Sequence, residues 1–368
     1  MRTRVPIIRT VILSAALMLV YSAPAFAQPI VVAATSNGSG ISTLQSFSTA
    51  SPGGSGTTLN TGSTIIYSAG GITYSDGSLY VSDRGTSSIY RVDPTSGAAS
   101  SFAYLGPNVV PTGLVFQGNS LYVADFVGIN PATANGAGTV NRFTITNGTF
   151  DLASKLTVVT GLTQPAGITL VPAGLPFAGH LLISNTGYTS QFTHPFIPDG
   201  RVVKYDPFTG VNGTVNQNFI AQGSNATVAD PLGLKGPAAT RYLPNGDLLV
   251  ADAVDTTRVR RYSSTGGSLG IFTAVNISSP SDILVVTGDT VERTTGVITT
   301  ETTVWIANLN DNAGNGWISR YDLSGTFIDF RATGASYAVL AAVPEPASIL
   351  GVCALAGVAL RLRKRRSK

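Results

Sequence analysis

The chain of 368 residues contains one cysteine, Cys353, and two histidines, His180 and His194. The cysteine lies in an apolar run close to the C-terminus, so the body folds without a disulfide framework. Two histidines far apart, with no cysteine partner, leave the body without the side chains for a zinc site or a cysteine–histidine nucleophile. Glutamate is scarce too, with only Glu292, Glu301 and Glu345. The body has no Walker loop, no dinucleotide fingerprint and no G-x-S-x-G elbow. Helical periodicity is missing between the two ends, and no catalytic constellation emerges.

Charge is thin as well. Only 11% of residues are charged while 43% are hydrophobic, ample for a sizeable core. The formal net charge of +4 comes from the two ends: without Arg2, Arg4, Arg9 and the six basic residues from Arg361 to Lys368, 14 lysines and arginines face 19 acidic residues. A mildly acidic body argues against nucleic acid as a partner.

What is abundant is punctuation. The 41 glycines and 20 prolines, with serine and threonine, separate short runs of Val, Ile, Leu and Tyr, the pattern of an all-β chain. The N-terminus reads as a secretory signal peptide over residues 1–27, with a basic start, the apolar run VILSAALMLV and cleavage after Ala27 in Ala25-Phe26-Ala27. The C-terminus carries an uncharged run over 347–360 and a basic tail over 361–368. As a helix that run reaches about 21 Å, short of a hydrocarbon core of about 30 Å, and snorkelling of Arg361 and Arg363 with local thinning makes up the difference. The basic tail then stays cytoplasmic and the body lies outside.

Between these ends a set of lines recurs. A first line opens on Gly or Pro: GGITYS (70–75), PTGLVF (111–116), PAGITL (165–170), GPAATRYL (236–243) and PSDILVV (280–286). A second ends in Asp or Asn: SLYVSD (78–83), SLYVAD (120–125), HLLISN (180–185), DLLVAD (247–252) and TVWIAN (303–308). A third carries a cation: SIYRVD (88–93), TVNRFT (139–144), RVVKYD (201–206), RVRRYS (258–263) and WISRYD (317–322). A fourth run follows each, giving five four-stranded units. The segments 29–35 and 40–47 supply a second and a third line with no first, and 334–340, GASYAVL, is the first line they lack. Pairing the two ends removes the exposed edge of a radial array. The expected fold is therefore an all-β, six-bladed β-propeller over residues 29–342, with an N-terminal signal helix and a C-terminal transmembrane helix.

Two resemblances follow from these residues. Val343-Pro344-Glu345-Pro346, a short apolar span and a terminal arginine cluster resemble the PEP-CTERM sorting signal of Gram-negative bacteria, over residues 343–368. That resemblance implies an exosortase-type sorting protease as partner, a membrane-held intermediate, and a final place in the cell envelope or extracellular matrix. The Gly-Ile and Gly-Leu openings and the LYVAD-type strands resemble the NHL and SMP-30/gluconolactonase-like propellers. That second likeness implies a metal-dependent lactonase or esterase as the alternative function, although such enzymes use a Glu among their ligands and no Glu stands on a repeated strand end here.

Three residue sets stand out. Asp83, Asp125, Asn185, Asp252 and Asn308, with Thr35 in the sixth unit, fall around one rim, where oxygens could converge on Ca²⁺ or another divalent cation; the competing reading is that each caps its own turn. No other cofactor is expected. Arg91, Arg142, Lys204, Arg261 and Arg320 recur in the third lines, and Asp93, Asp206 and Asp322 two residues on suggest ion pairing within or between blades. Three long connections between second and third lines leave the same face, and the middle one carries Tyr188, Phe192, His194 and Phe196, able to stack on a sugar ring or pack on a protein. The sequence thus favours an exported, membrane-sorted binding or structural module for a polysaccharide or protein ligand. Bulk matrix cargo without a specific activity is a further alternative.

Overall fold

The computed structural model describes residues 30–36, 41–49, 56–126, 138–186, 200–208, 218–221, 233–253, 258–291, 298–309, 316–333 and 337–344. The signal segment, the apolar run and basic tail, Glu345 and Pro346, and the loop residues Tyr188, Phe192, His194 and Phe196 lie outside them. Every regular element within them is a strand, and no helix there is long and apolar enough to cross a membrane.

The strands in chain order are β1 (Ile30–Ser36), β2 (Ser42–Ser48), β3 (Thr57–Leu59), β4 (Ala69–Ser75), β5 (Ser78–Asp83), β6 (Ser88–Val92), β7 (Ala99–Tyr104) and β8 (Pro111–Gln117). They continue as β9 (Ser120–Asp125), β10 (Gly138–Thr146), β11 (Thr149–Leu162), β12 (Pro165–Leu170), β13 (Leu181–Asn185), β14 (Arg201–Tyr205), β15 (Asn218–Ile220) and β16 (Pro237–Tyr242). The last eight are β17 (Leu248–Asp252), β18 (Arg258–Tyr262), β19 (Ser268–Thr273), β20 (Pro280–Val291), β21 (Ile298–Asn308), β22 (Trp317–Tyr321), β23 (Phe327–Ala332) and β24 (Tyr337–Val343).

They form six four-stranded antiparallel sheets. Blade 1 has the order β24-β1-β2-β3, and blades 2 to 6 are β4–β7, β8–β11, β12–β15, β16–β19 and β20–β23. The innermost strands β24, β4, β8, β12, β16 and β20 touch one another in turn and close a ring. This is a six-bladed β-propeller. The seam is the expected one: β24 pairs with β1 from Ile30↔Val343 to Ser36↔Tyr337. The strand starts and ends three residues later than 334–340, so Ala341 and Ala342 pair with Val32 and Val31 in the seam. Val343, first residue of the expected sorting motif, is a buried strand residue as well.

The second lines are apolar almost throughout because they are buried on both faces. Side chains alternate across a strand, and each second strand sits between two blades. Leu79 and Val81 of β5 pack against blade 1 while Tyr80 packs against blade 3. Leu249 and Ala251 of β17 face blade 6 while Leu248 and Val250 face blade 4. Six apolar clusters, one per junction, make up the core.

The Gly openings have a steric cause at the axis, where the innermost strands meet backbone to backbone. A Cβ on Gly71 would lie 2.5 Å from Thr112 O, and one on Gly113 would lie 2.6 Å from Ala166 O and 2.8 Å from Gly167 Cα. Proline is tolerated as first residue of β8, β12, β16 and β20 because an innermost strand is an edge and owes no N–H to a further neighbour. In blades 2 to 6 a register shift follows that first residue, so each inner strand bends at the same height.

Ile30 and Val343 stand together at one end of blade 1. Second strands start at that end in every blade and finish at Asp83, Asp125, Asn185, Asp252 and Asn308 on the opposite face. Both chain ends thus leave from the face away from these residues.

Candidate functional site

The five Asp and Asn residues sit opposite the first residue of the inner strand of their own blade: Ala69↔Asp83, Pro111↔Asp125, Pro165↔Asn185, Pro237↔Asp252 and Pro280↔Asn308. That register aims each side chain at the loop leading into the inner strand. Asp83 accepts hydrogen bonds from the N–H groups of Tyr67 (3.0 Å) and Ser68 (2.8 Å), Asp125 from Val110 (2.9 Å), and Asn185 from Thr163 and Gln164 (2.9 Å each). Asp252 accepts from Gly236 (2.9 Å) and Lys235 (3.3 Å), and Asn308 from Ser278 (3.0 Å).

Each residue therefore fastens a loop 15 to 30 residues upstream. Asp83 also caps its own turn, accepting from the N–H of Gly85 and the hydroxyl of Thr86, while the turns after Asp125, Asn185, Asp252 and Asn308 lie outside the described residues. Thr35, in blade 1, instead shares a hydroxyl contact of 2.8 Å with Thr43. Among the described residues no group of three or more His, Cys, Asp or Glu side chains comes together as a metal site. Burial pushes the carboxyls of Asp125 and Asp252 up from the usual range, against the backbone hydrogen bonds that pull them down. Asp252 also meets Arg260 at 2.8 Å, both side chains wholly buried.

The expected ion pairing within blades is made by two of the third-line cations, with carboxylates other than the Asp two residues on. Arg261 reaches Asp247 and Arg320 reaches Asp329, while Arg91 donates to the Ser78 hydroxyl and the Lys204 ammonium lies 3.6 Å above the Phe177 ring. Asp93, Asp206 and Asp322 cap the turns that follow, accepting from the N–H groups of Thr95, Phe208 and Ser324. The cause is position: these aspartates stand one residue beyond the end of the strand, where the backbone N–H groups of the turn are closest.

What the fold encloses is a cavity of about 270 Å³ on the axis, lined by inner strands from all six blades. Its mouth is ringed by the residues that follow the rim set: Arg84, Phe126, Thr186, Ala253 and Leu309, all half-buried. Its wall is small and apolar, as at Gly113, Gly167, Ala239, Leu114 and Val339. The long connections begin at this mouth, on the face opposite the chain ends.

Around the axis, hydroxyls tie blade to blade. Ser42 accepts from the N–H of Ala69, Ser82 donates to Thr112 O, Thr112 to Pro165 O, Thr186 to Pro237 O and Ser281 to Ala338 O, at 2.6 to 3.1 Å. The junction of blades 5 and 6 carries charge. Arg241 of β16 faces Asp282 of β20 at 4.0 Å, too long for a hydrogen bond. One Arg241 terminal nitrogen, Nη1, donates to the Thr169 hydroxyl (3.0 Å) and Thr240 O (3.1 Å), which fixes the guanidinium. Asp282 accepts from the N–H of Leu340 at 2.8 Å, and burial pushes its carboxyl up against the opposing pull of Arg241.

Arg84, Phe126, Arg241 and Asp282 were not among the residues singled out from sequence. The signal was a departure from the repeat: Asp282 stands where the first lines of blades 3 and 4 have Gly113 and Gly167, and Thr240-Arg241 stands where blade 4 has Ile168-Thr169.

No protein-family model matches the chain, and no curated protein matches it. Among solved structures, a chain of a nidogen/laminin complex is similar at TM-score 0.54 and 13% identity, over 86% of this chain and 99% of that one. The PQQ-bound form of an aldose sugar dehydrogenase from Streptomyces coelicolor is similar at TM-score 0.44 and 14% identity, over 72% of this chain and 80% of that one. At 13% identity the likeness to the nidogen/laminin chain is one of fold. It agrees with the strand order above: the described residues are a six-bladed β-propeller whose candidate site is the axial channel and its mouth.

Proposed function

We propose that the protein is an exported propeller, held at the envelope by its C-terminal segment before sorting, that serves as a binding module through the face bearing the channel mouth. The observation that carries this reading is the pairing of Ile30 with Val343, which sends both chain ends out of the opposite face. Only Pro344, Glu345 and Pro346 separate that strand from the uncharged run 347–360. With the run in a bilayer, the mouth faces away from the membrane, toward a polysaccharide or a protein outside it. Rigid strands carrying loops to one side are a common basis for recognition. Rim oxygens committed to backbone N–H groups lend the hydrolase alternative no support.

The test uses the chain's single cysteine. In a Cys353→Ser background, Pro107→Cys labels the mouth face and Thr95→Cys the opposite one; the full chain is placed in vesicles containing quencher-headgroup lipids. The Thr95 label is expected to be quenched strongly and the Pro107 label weakly. Equal quenching, or recovery of chains from cells with residues 1–27 still attached, would overturn the reading.

A further inference from the structure

Two arginines, Arg84 and Arg241, line the channel. In the ring of blades, blades 2 and 5 are three steps apart and stand opposite each other, so Arg84 and Arg241 line one cavity from opposite sides. Arg241 belongs to an innermost strand, yet its side chain is 28% exposed. Its Nη1 is held by Thr169 and Thr240, while Nη2 has only the 4.0 Å approach to Asp282. A guanidinium fixed on one side, with donors open toward a cavity, is the arrangement that suits a carboxylate.

The rest of the lining sets the other half of the ligand. The wall is apolar and narrow, with Leu114, Ile168 and Val339 around it and Phe126 and Leu309 at the mouth. The cavity's 270 Å³ is close to the lower bound of about 300 Å³ for small-molecule pockets. Polysaccharide chains and folded partners are too large to enter.

We infer that the axial channel binds a small organic carboxylate, its anionic end on Arg241 and its apolar body between the inner strands, with Arg84 drawing it in at the mouth. The inference deepens the reading of this face as a binding surface and rests on it, but binding is measured on purified protein and does not depend on where the chain resides.

The experiment titrates the detergent-solubilised full chain with benzoate, and with benzamide, which has nearly the same shape without the charge. Benzoate is expected to bind saturably at one site per chain, with benzamide at least about tenfold weaker, the scale of one charge-assisted hydrogen bond. Arg241→Gln should lower benzoate affinity by about tenfold or more, while Arg241→Lys, which keeps the charge without the planar fork, should recover only part of the loss. Because Arg241→Gln also removes the tie to Thr169, the wild-type chain supplies an independent readout: in alanine-methyl NMR spectra, benzoate should shift Ala166, Ala238, Ala239 and Ala253 and leave Ala99 and Ala332 on the outer strands unmoved. Absence of saturable binding, equal binding of benzamide, or shifts outside the cavity would overturn the inference. Failure of binding with the quenching result intact would remove the carboxylate site and leave the envelope reading standing.

Discussion

If closure of the ring is what completes the core, a cavity in the seam strand should cost as much as one in any blade built from consecutive strands. Leu340 is the residue to cut back. It is wholly buried, pairs with Ala33, and packs with Trp305, Ala307 and Ile318 of blade 6 and Val31 of blade 1. Its N–H also donates to Asp282 at 2.8 Å, a bond that Leu340→Ala keeps. The loss is therefore one of packing: about 2–3 kcal/mol for the apolar area returned to water, and a further term for the cavity, in all about 2–5 kcal/mol. Against a net stability on the order of 5–15 kcal/mol this is a large fraction. With a urea slope near 3 kcal/mol per M it lowers the midpoint by roughly 1 M. The assay is urea unfolding of the full chain followed by tryptophan fluorescence, since Trp305 lies in the same cluster. Leu249→Ala in β17, equally buried, is the internal reference. A loss under about 0.5 kcal/mol for Leu340→Ala, beside a full loss for Leu249→Ala, would mean that the ring is open in solution and the reasoning is wrong.

Three further outcomes follow from the same structure. Gly113→Ala puts a Cβ 2.6 Å from the Ala166 carbonyl oxygen, which is backbone and cannot swing aside, so a destabilisation of about 1–3 kcal/mol is expected in thermal melts; an unchanged or raised Tm would show that the inner strands can spread. Arg260→Met removes the ion-pair partner of the wholly buried Asp252 and should cost about 3–5 kcal/mol, while adding Asp252→Asn should restore part of that loss; a double-mutant cycle with no coupling energy would count against the pairing. The Asp282 carboxyl is raised in the folded state, so the fold holds its proton more tightly than the unfolded chain does. Its stabilising share is present below the ordinary aspartate range and is lost as pH rises through the folded value. The Tm of the wild type minus that of Asp282→Asn should accordingly fall between pH 3 and neutrality, and a flat or rising difference would contradict the burial argument.

Much of the architecture was legible before any coordinates. Second strands such as LYVAD are apolar on both faces because both are buried, and that need is met by local composition, so five repeats could be counted and the missing first line located at the far end. The strand bounds were less legible. β24 begins at Tyr337 and runs into Val343, and β20 and β21 extend to Val291 and back from Ile298, because pairing partners, not composition, decide where a strand stops. The rim set was found in the sequence, but a second duty was not legible there: Asp83, Asp125, Asn185, Asp252 and Asn308 each hold a loop far upstream, a contact that depends on their register with the inner strand. The charged pair of the channel was missed, since Arg241 and Asp282 break the repeat and the repeat was what guided the reading.

By itself, then, the order of residues determined that the chain is all-β, built from repeated four-stranded units, short of one strand at its start and supplied with it at its end. Alternation, glycine and proline act over a few residues, so their consequences are written locally. Only the tertiary structure decided that Asp83 and its counterparts lock the loops leading to the axis, that both chain ends leave from the face opposite the channel mouth, and that Arg84 and Arg241 look into one cavity. Those facts depend on the rotation accumulated from blade to blade until the ring closes, a sum over the whole chain to which no single stretch of sequence corresponds.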